Sequence, residues 1–194
     1  MDLVTIGSRP ARILDFDIEN RPLSYLGSDF TTADVTAIAA GWTDEDEVKV
    51  WALGEVSQKK MLKEFVKMYN EADMVTGHFI RDHDLPHINS ALLELGLEPL
   101  SEKLTSCTKR DLLKRKGISA SQESLGAVLG IEAPKVHMSP SDWREANRLT
   151  KAGITKTKER VSGDIIQHRQ LRAALVERGW LGTPRMWSPT SYAR

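Results

Sequence analysis

The chain has 194 residues, with 27 Lys and Arg against 27 Asp and Glu and a single cysteine, Cys107. This length suits one domain with a real core, and one cysteine excludes both an intrachain disulfide and a thiolate zinc cluster. No apolar run approaches the ~20 residues of a membrane span and no signal-peptide core opens the chain, so the expectation is a cytoplasmic protein. The zero net charge hides a division. Residues 1–100 carry 18 acidic and 9 basic side chains, whereas residues 101–194 carry 9 acidic and 18 basic. That asymmetry points to an anionic partner for the second half. Its cations gather at Lys109, Arg110, Lys114, Arg115 and Lys116 and again over 144–160, which fits nucleic acid.

Residues 1–10 read as a short lead-in. Ile13, Leu14, Phe16 and Ile18 then form an apolar run of strand character, interrupted by Asp15, Asp17 and Glu19. Side chains at i and i+2 share a strand face, so Asp17 and Glu19 project together. Carboxylates beside a core are costly unless neutralised, and a hard divalent cation such as magnesium or manganese suits such a pair. Pro22 and Gly27 mark the turn-rich passage that follows. Residues 35–42 predict a second strand, 43–47 an acidic turn without the spacing of a calcium loop, and 48–53 a third strand by strict alternation. The three strands predict a meander.

Ser57 predicts the N-cap of a helix whose buried stripe is Met61, Leu62, Phe65, Val66 and Tyr69. A short strand over 72–78 ends at Gly77. The next helix has Pro86 in its first turn and Gly96 at its end, with Asp84 just before its start, where a negative charge is favoured. A fifth strand is expected around Leu104 to Cys107, before a basic helical stretch. Ser121 and Ser124 compete as caps for a helix ending at Gly130. Ser141 or Asp142 can start another helix through Arg148, and a long helix is expected over about 156–178. On it Asp164, His168, Leu171 and Leu175 share a face. An acid on that core-facing stripe calls for a purpose, and Gly163, worth ~1 kcal/mol of lost helix stability relative to Ala, lets a neighbour approach. Residues 179–194, with two Pro and two Gly, read as an irregular tail on a domain spanning 1–178. Meander followed by strand–helix alternation predicts an α/β fold: a mixed five-stranded sheet with helices on both faces.

Three stretches, LDFDIE (14–19), TGHFIRDHDLPHIN (76–89) and SGDIIQHRQL (162–171), together resemble the motifs of the DEDD, or DnaQ-like, 3′–5′ exonuclease family. Their order and spacing fit that family over roughly residues 11–178, and the small set of matching motifs looks like its bacteriophage-encoded members. The resemblance implies a ribonuclease H-like fold and hydrolysis of phosphodiester bonds at DNA 3′ ends. It also implies two divalent ions, Mg2+ or Mn2+, held by Asp17, Glu19, Asp84 and Asp164. By that likeness Asp17 bridges both ions, Glu19 and Asp164 complete one, and Asp84 helps hold the other. No polymerase module accompanies these motifs, so proofreading would act in trans beside a DNA polymerase, in the host cytoplasm if the gene is a phage's. RNA trimming, or a non-catalytic nucleic-acid or polymerase accessory role, are the alternatives.

The chain departs from the family where a His five residues, or a Tyr four residues, usually precedes the last Asp. Glu159 and Arg160 stand there. Phe79 replaces a frequent Asn and His83 a frequent Phe. His168 and His137 are therefore candidates to reach the metal site as a base. His78 and Phe79 are candidate substrate contacts, and Lys114, Arg115 and Lys116 a candidate track for the nucleic-acid backbone.

Overall fold

Alternation along one strand sets both faces of the sheet. The computed structural model describes residues 5–6, 8–21, 34–132 and 136–190. The turn-rich passage with Pro22 and Gly27 lies outside them. After a small antiparallel ribbon of β1 (Thr5–Ile6) and β2 (Arg9–Pro10), β3 (Ile13–Asn20) sends Leu14, Phe16 and Ile18 into the main core. Asp15, Asp17 and Glu19 take the opposite face by the two-residue period. β4 (Val35–Trp42) pairs antiparallel with β3, and β5 (Lys49–Ala52) antiparallel with β4, completing the expected meander. The register slips between Glu19 and Asn20, a bulge of the kind that re-aims side chains near functional sites.

α1 (Gln58–Glu71) starts where the Ser57 hydroxyl accepts the Lys60 amide hydrogen at 3.3 Å. Its Met61, Leu62, Phe65 and Tyr69 join the core under β3. β6 (Met74–Gly77) runs parallel to β3, α2 (Asp84–Glu94) follows, and β7 (Lys103–Cys107) runs parallel to β6. α3 (Gln122–Leu129), α4 (Pro140–Asn147) and α5 (Lys151–Glu177) come next, and β8 (Arg185–Trp187) closes the sheet antiparallel to β7. The strand order is β5-β4-β3-β6-β7-β8.

Among the described residues the sheet has six strands rather than five, a correction carried by the supposed tail. Thr105 Oγ1 donates to the Arg185 carbonyl at 2.8 Å, and Trp187 is buried in the main core. The basic stretch after β7 is a second correction, since it is not helical. Its backbone bonds go elsewhere: the Leu113 amide donates to the Trp180 carbonyl at 3.1 Å, and the Gly182 amide to the Asp111 carbonyl at 2.8 Å. Asp111 Oδ2 also accepts the Cys107 amide hydrogen at 2.8 Å, so its side chain competes with a helical ladder.

Two helix starts differ from expectation and a third is decided between its two candidates. Ser121 caps α3, and Ser139 rather than Ser141 or Asp142 caps α4, in a capping box with Asp142. Thr150 caps α5, whose first residue Lys151 lies five positions before the expected start. That early turn is possible because Gly153 has no side chain: a Cβ there would strike the backbone of Glu145 and Ala146 in α4.

α5 lies across the face of β3 that carries the acids. β4 offers Ala37 and Ala39 there, and these pack with Val161 and Ile165 of α5 in a second, smaller cluster. Small side chains let the helix come close to the sheet, which brings carboxylates from both within reach of each other. With α1 and α2 on the other face, the architecture is the ribonuclease H-like mixed α/β sheet.

Candidate metal centre

Strand and helix keep step across this interface. Two residues along a strand advance about 6.7 Å and four along a helix about 6.0 Å, so every second residue of β3 meets every fourth of α5, in opposite directions. The first rung is Asp15 with His168: Nδ1 lies 2.9 Å from both carboxylate oxygens, and both side chains are buried. The last is Glu19 with Arg160, whose Nε donates to Oε1 at 2.6 Å. Between them Asp17 faces Asp164, acid against acid. One ligand oxygen each from Asp17, Glu19 and Asp164 lie within 4.8 Å of one another.

Asp84 reaches the same place from α2. β3 and β6 pair only from Ile13–Met74 to Asp15–Thr76 and then diverge, which leaves the Ile18 amide without a strand partner. Asp84 Oδ1 accepts it at 3.2 Å, satisfying a buried backbone donor and holding the carboxylate beside Asp17. Asp84 is the first residue of α2 rather than its cap, so its charge still benefits from the helix N-terminus. Its Oδ2 lies 3.4 Å from His83 Nδ1.

The four acids line one cleft of about 310 Å³, with His78, Phe79, His83, Lys109, Ser121, Gln122 and Arg160 among its other walls. Burial and crowding raise the pKa of two of them. Burial first, then the charges of Asp84, Asp164, Glu19 and Asp15, raise the Asp17 pKa well above the usual carboxylate range. Burial also raises Glu19, against the opposing pull of Arg160. Burial would lower Arg160, but Glu19, Asp164 and Asp17 more than offset it and hold the guanidinium's pKa above its usual value. The side-chain hydrogen bond to Asp84 raises His83 although burial opposes it.

The donor set fits a hard divalent ion. Oxygens that each sit 2.0–2.6 Å from a common centre can be no more than about 4–5 Å apart, and those of Asp17, Glu19 and Asp164 satisfy this. Raised carboxylate pKa values mark a place where added positive charge is favourable.

The remaining sequence candidates divide. His78 and Phe79 line the cleft. His78 Nδ1 is 2.9 Å from Thr108 Oγ1. Phe79 has φ of 70°, uncommon for a bulky residue, and its ring lies 3.8 Å beneath Lys109 Nζ. His168 does not reach the cleft, because its place on the helix puts it opposite Asp15, one rung too far back. His137 is exposed in the loop before α4 and is not among the cleft residues. Lys114, Arg115 and Lys116 also lie off the cleft, since their loop is drawn towards residues 180–182.

Gln122 carries no signal of its own in the sequence, and Arg160 stands out there only as the end of the basic run over 144–160 and as the residue in the usual place of a Tyr. Gln122 Nε2 donates to the Asp164 carbonyl at 2.8 Å and to Gln167 Oε1 at 3.1 Å, tying α3 to α5 beside the acid. Both contacts span more than forty positions, and no local pattern announces them. A second cavity, about 770 Å³, lies at the other end of β3 between Ile13, Thr43, Arg169 and Arg172. It is larger, but holds none of the four acids.

No protein-family model and no curated protein matches the sequence. Among solved structures, the chain is similar to a family B DNA polymerase from the hyperthermophilic archaeon Pyrobaculum calidifontis, with a TM-score of 0.64 at 17% identity. The match covers 87% of this chain and 25% of the polymerase, so the chain spans about a quarter of that protein's length. At this identity the likeness is one of fold. Among the described residues, no helix is long and apolar enough to cross a membrane.

Proposed function

We propose that the chain is a metal-dependent 3′–5′ exonuclease of the DEDD class, acting on DNA 3′ ends. The observation that carries this reading is the convergence of Asp17, Glu19, Asp84 and Asp164, from two helices and one strand, on a single open cleft. The three sequence motifs and the polymerase-like fold support it. Asp17, Glu19 and Asp164 would hold one ion, and Asp84, fixed by the Ile18 amide, would serve a second beside Asp17. Magnesium or manganese bound there would neutralise phosphate charge, activate water and stabilise a leaving oxygen.

The rest of the cleft handles the nucleic acid. Phe79 offers a ring for a terminal base to stack on, and Lys109 above it supplies positive charge for a phosphate. His83, kept cationic to higher pH by Asp84, can donate a hydrogen bond to a phosphate oxygen at the rim. None of these groups is a general base in the position the family uses. A second reading, a nucleic-acid-binding accessory subunit of a polymerase that has lost catalysis, draws on Arg160 lying against Glu19.

The deciding experiment incubates 5′-labelled single-stranded DNA and RNA with the protein in magnesium, manganese or chelator. Stepwise shortening of DNA with either metal, abolished in Asp17→Asn and Asp84→Asn, is the expected result. Shortening of RNA alone selects the trimming alternative. Binding without cleavage in either metal selects the accessory reading.

A further inference from the structure

Of the three strand–helix rungs, only the middle one brings two acids together. Asp15 has His168 and Glu19 has Arg160, so the cleft arrives with a cation of its own at one end. The Arg160 guanidinium is held from several sides. Nε donates to Glu19 Oε1 at 2.6 Å, Nη1 donates to the Val136 carbonyl at 3.1 Å, and Nη2 lies 3.6 Å from Asp164 Oδ2. Its carbon is 5.2 Å from the centre of the Trp143 ring, close enough for a cation–π contribution. Its side chain is 20% exposed, so the pairing is partly sheltered from solvent.

Arg160 therefore engages two of the three acids that could share one ion. Arginine does not lose its proton in proteins, so it cannot yield to a metal by becoming neutral. It must either remain beside the ion, charge against charge, or give up Glu19. Long side chains give up a partner most readily when another anion is at hand, and a guanidinium pairs especially well with phosphate.

On the reading of this cleft as a metal site, we infer that Arg160 is a resident counter-cation that competes with the divalent ion for Glu19 and Asp164, and that it transfers to a substrate phosphate when the ion binds. Metal and nucleic acid then bind with positive coupling, each strengthening the other by the same factor. The arginine acts as a positioning and gating residue: it occupies carboxylate oxygens of Glu19 and Asp164 that the ion needs, and so weakens metal binding until a phosphodiester draws it away.

The test measures Mn2+ binding by electron paramagnetic resonance for the parent, Arg160→Gln and Arg160→Lys, with and without a phosphorothioate single strand that resists cleavage. Without DNA, Arg160→Gln should bind Mn2+ at least tenfold more tightly than the parent. Arg160→Lys, which keeps the charge, should stay within about threefold of the parent. DNA should tighten Mn2+ binding by the parent at least fivefold and by Arg160→Gln less than twofold. If the Gln variant binds Mn2+ no more tightly than the parent, the competition is overturned. If DNA tightens both equally, the transfer to phosphate is overturned. Loss of Mn2+ binding in Asp17→Asn checks the site independently. If no protein of the set binds Mn2+ there, the reading of the cleft falls and the inference falls with it.

Discussion

Replacing Asp17 by Asn should stabilise the metal-free protein while abolishing its response to metal. Oxygens of Asp17, Glu19 and Asp164 lie within 4.8 Å of one another. At that distance each like-charge pair costs roughly 3–4 kcal/mol for an effective dielectric of about 20. Most of that is not recoverable: Arg160 offsets part of it, and the cleft is open to water. A net relief of about 1–2 kcal/mol remains, which for a domain of this size raises the Tm by about 2–8 °C. The assay is thermal unfolding followed by circular dichroism at neutral pH, in chelator and in manganese. The parent should gain stability on adding metal, by about 2.7 kcal/mol at a hundredfold excess over Kd. The variant should start higher and gain little. A lower Tm for Asp17→Asn in chelator, with a native spectrum, would refute the claim that the acids repel one another. An undiminished gain with manganese would refute their role as ligands.

Four further expectations use the same cleft and its surroundings. Because the folded-state pKa values of Asp17 and Glu19 are raised, their contribution is favourable below about pH 4 and is lost as pH rises through the raised values. In chelator, stability should therefore fall from mildly acidic to neutral pH by more in the parent than in Asp17→Asn, as read from unfolding midpoints. His168→Ala should lower stability by about 3 kcal/mol in denaturant unfolding, since it removes the hydrogen-bond partner of buried Asp15 and leaves only Arg169, 3.9 Å away. A single-turnover pH–rate profile of the parent should rise towards alkaline pH with no inflection that His137→Ala removes, because His137 stands outside the cleft. Phe79→Ala should weaken single-strand binding by about 1–3 kcal/mol in fluorescence anisotropy.

What was legible in the sequence was what local pattern can encode. Alternation placed Asp15, Asp17 and Glu19 on one face of β3, and helical spacing put Asp164 and His168 on one face of α5. The strands of the meander and the parallel pair were likewise readable from apolar runs and breaker residues. Which residue meets which across the interface was not readable. His168 is correctly an inward-facing residue, yet the opposite running of strand and helix sets it against Asp15 instead of the cleft. The Arg160–Glu19 contact spans 141 positions, so its meaning depends on the docking of α5. The basic stretch after β7 has helix-forming residues, but its backbone partners come from residues 180–182, a tertiary preference that composition does not show. β8 is three residues long, too short for periodicity to announce.

That last strand also bears on how the molecule behaves in a crowd of its own copies. Among the described residues the sheet ends at β5 on one side and β8 on the other, strands of four and three residues. Each carries an exposed cation at its start, Lys49 and Arg185. Short, charged margins are poor templates for another chain to extend by backbone hydrogen bonding. Shortening the chain at residue 178 would uncover the longer margin of β7, whose Thr105 and Leu104 now face Arg185 and Met186. The final segment thus keeps the sheet from growing, and a truncated protein should aggregate at concentrations the full chain tolerates.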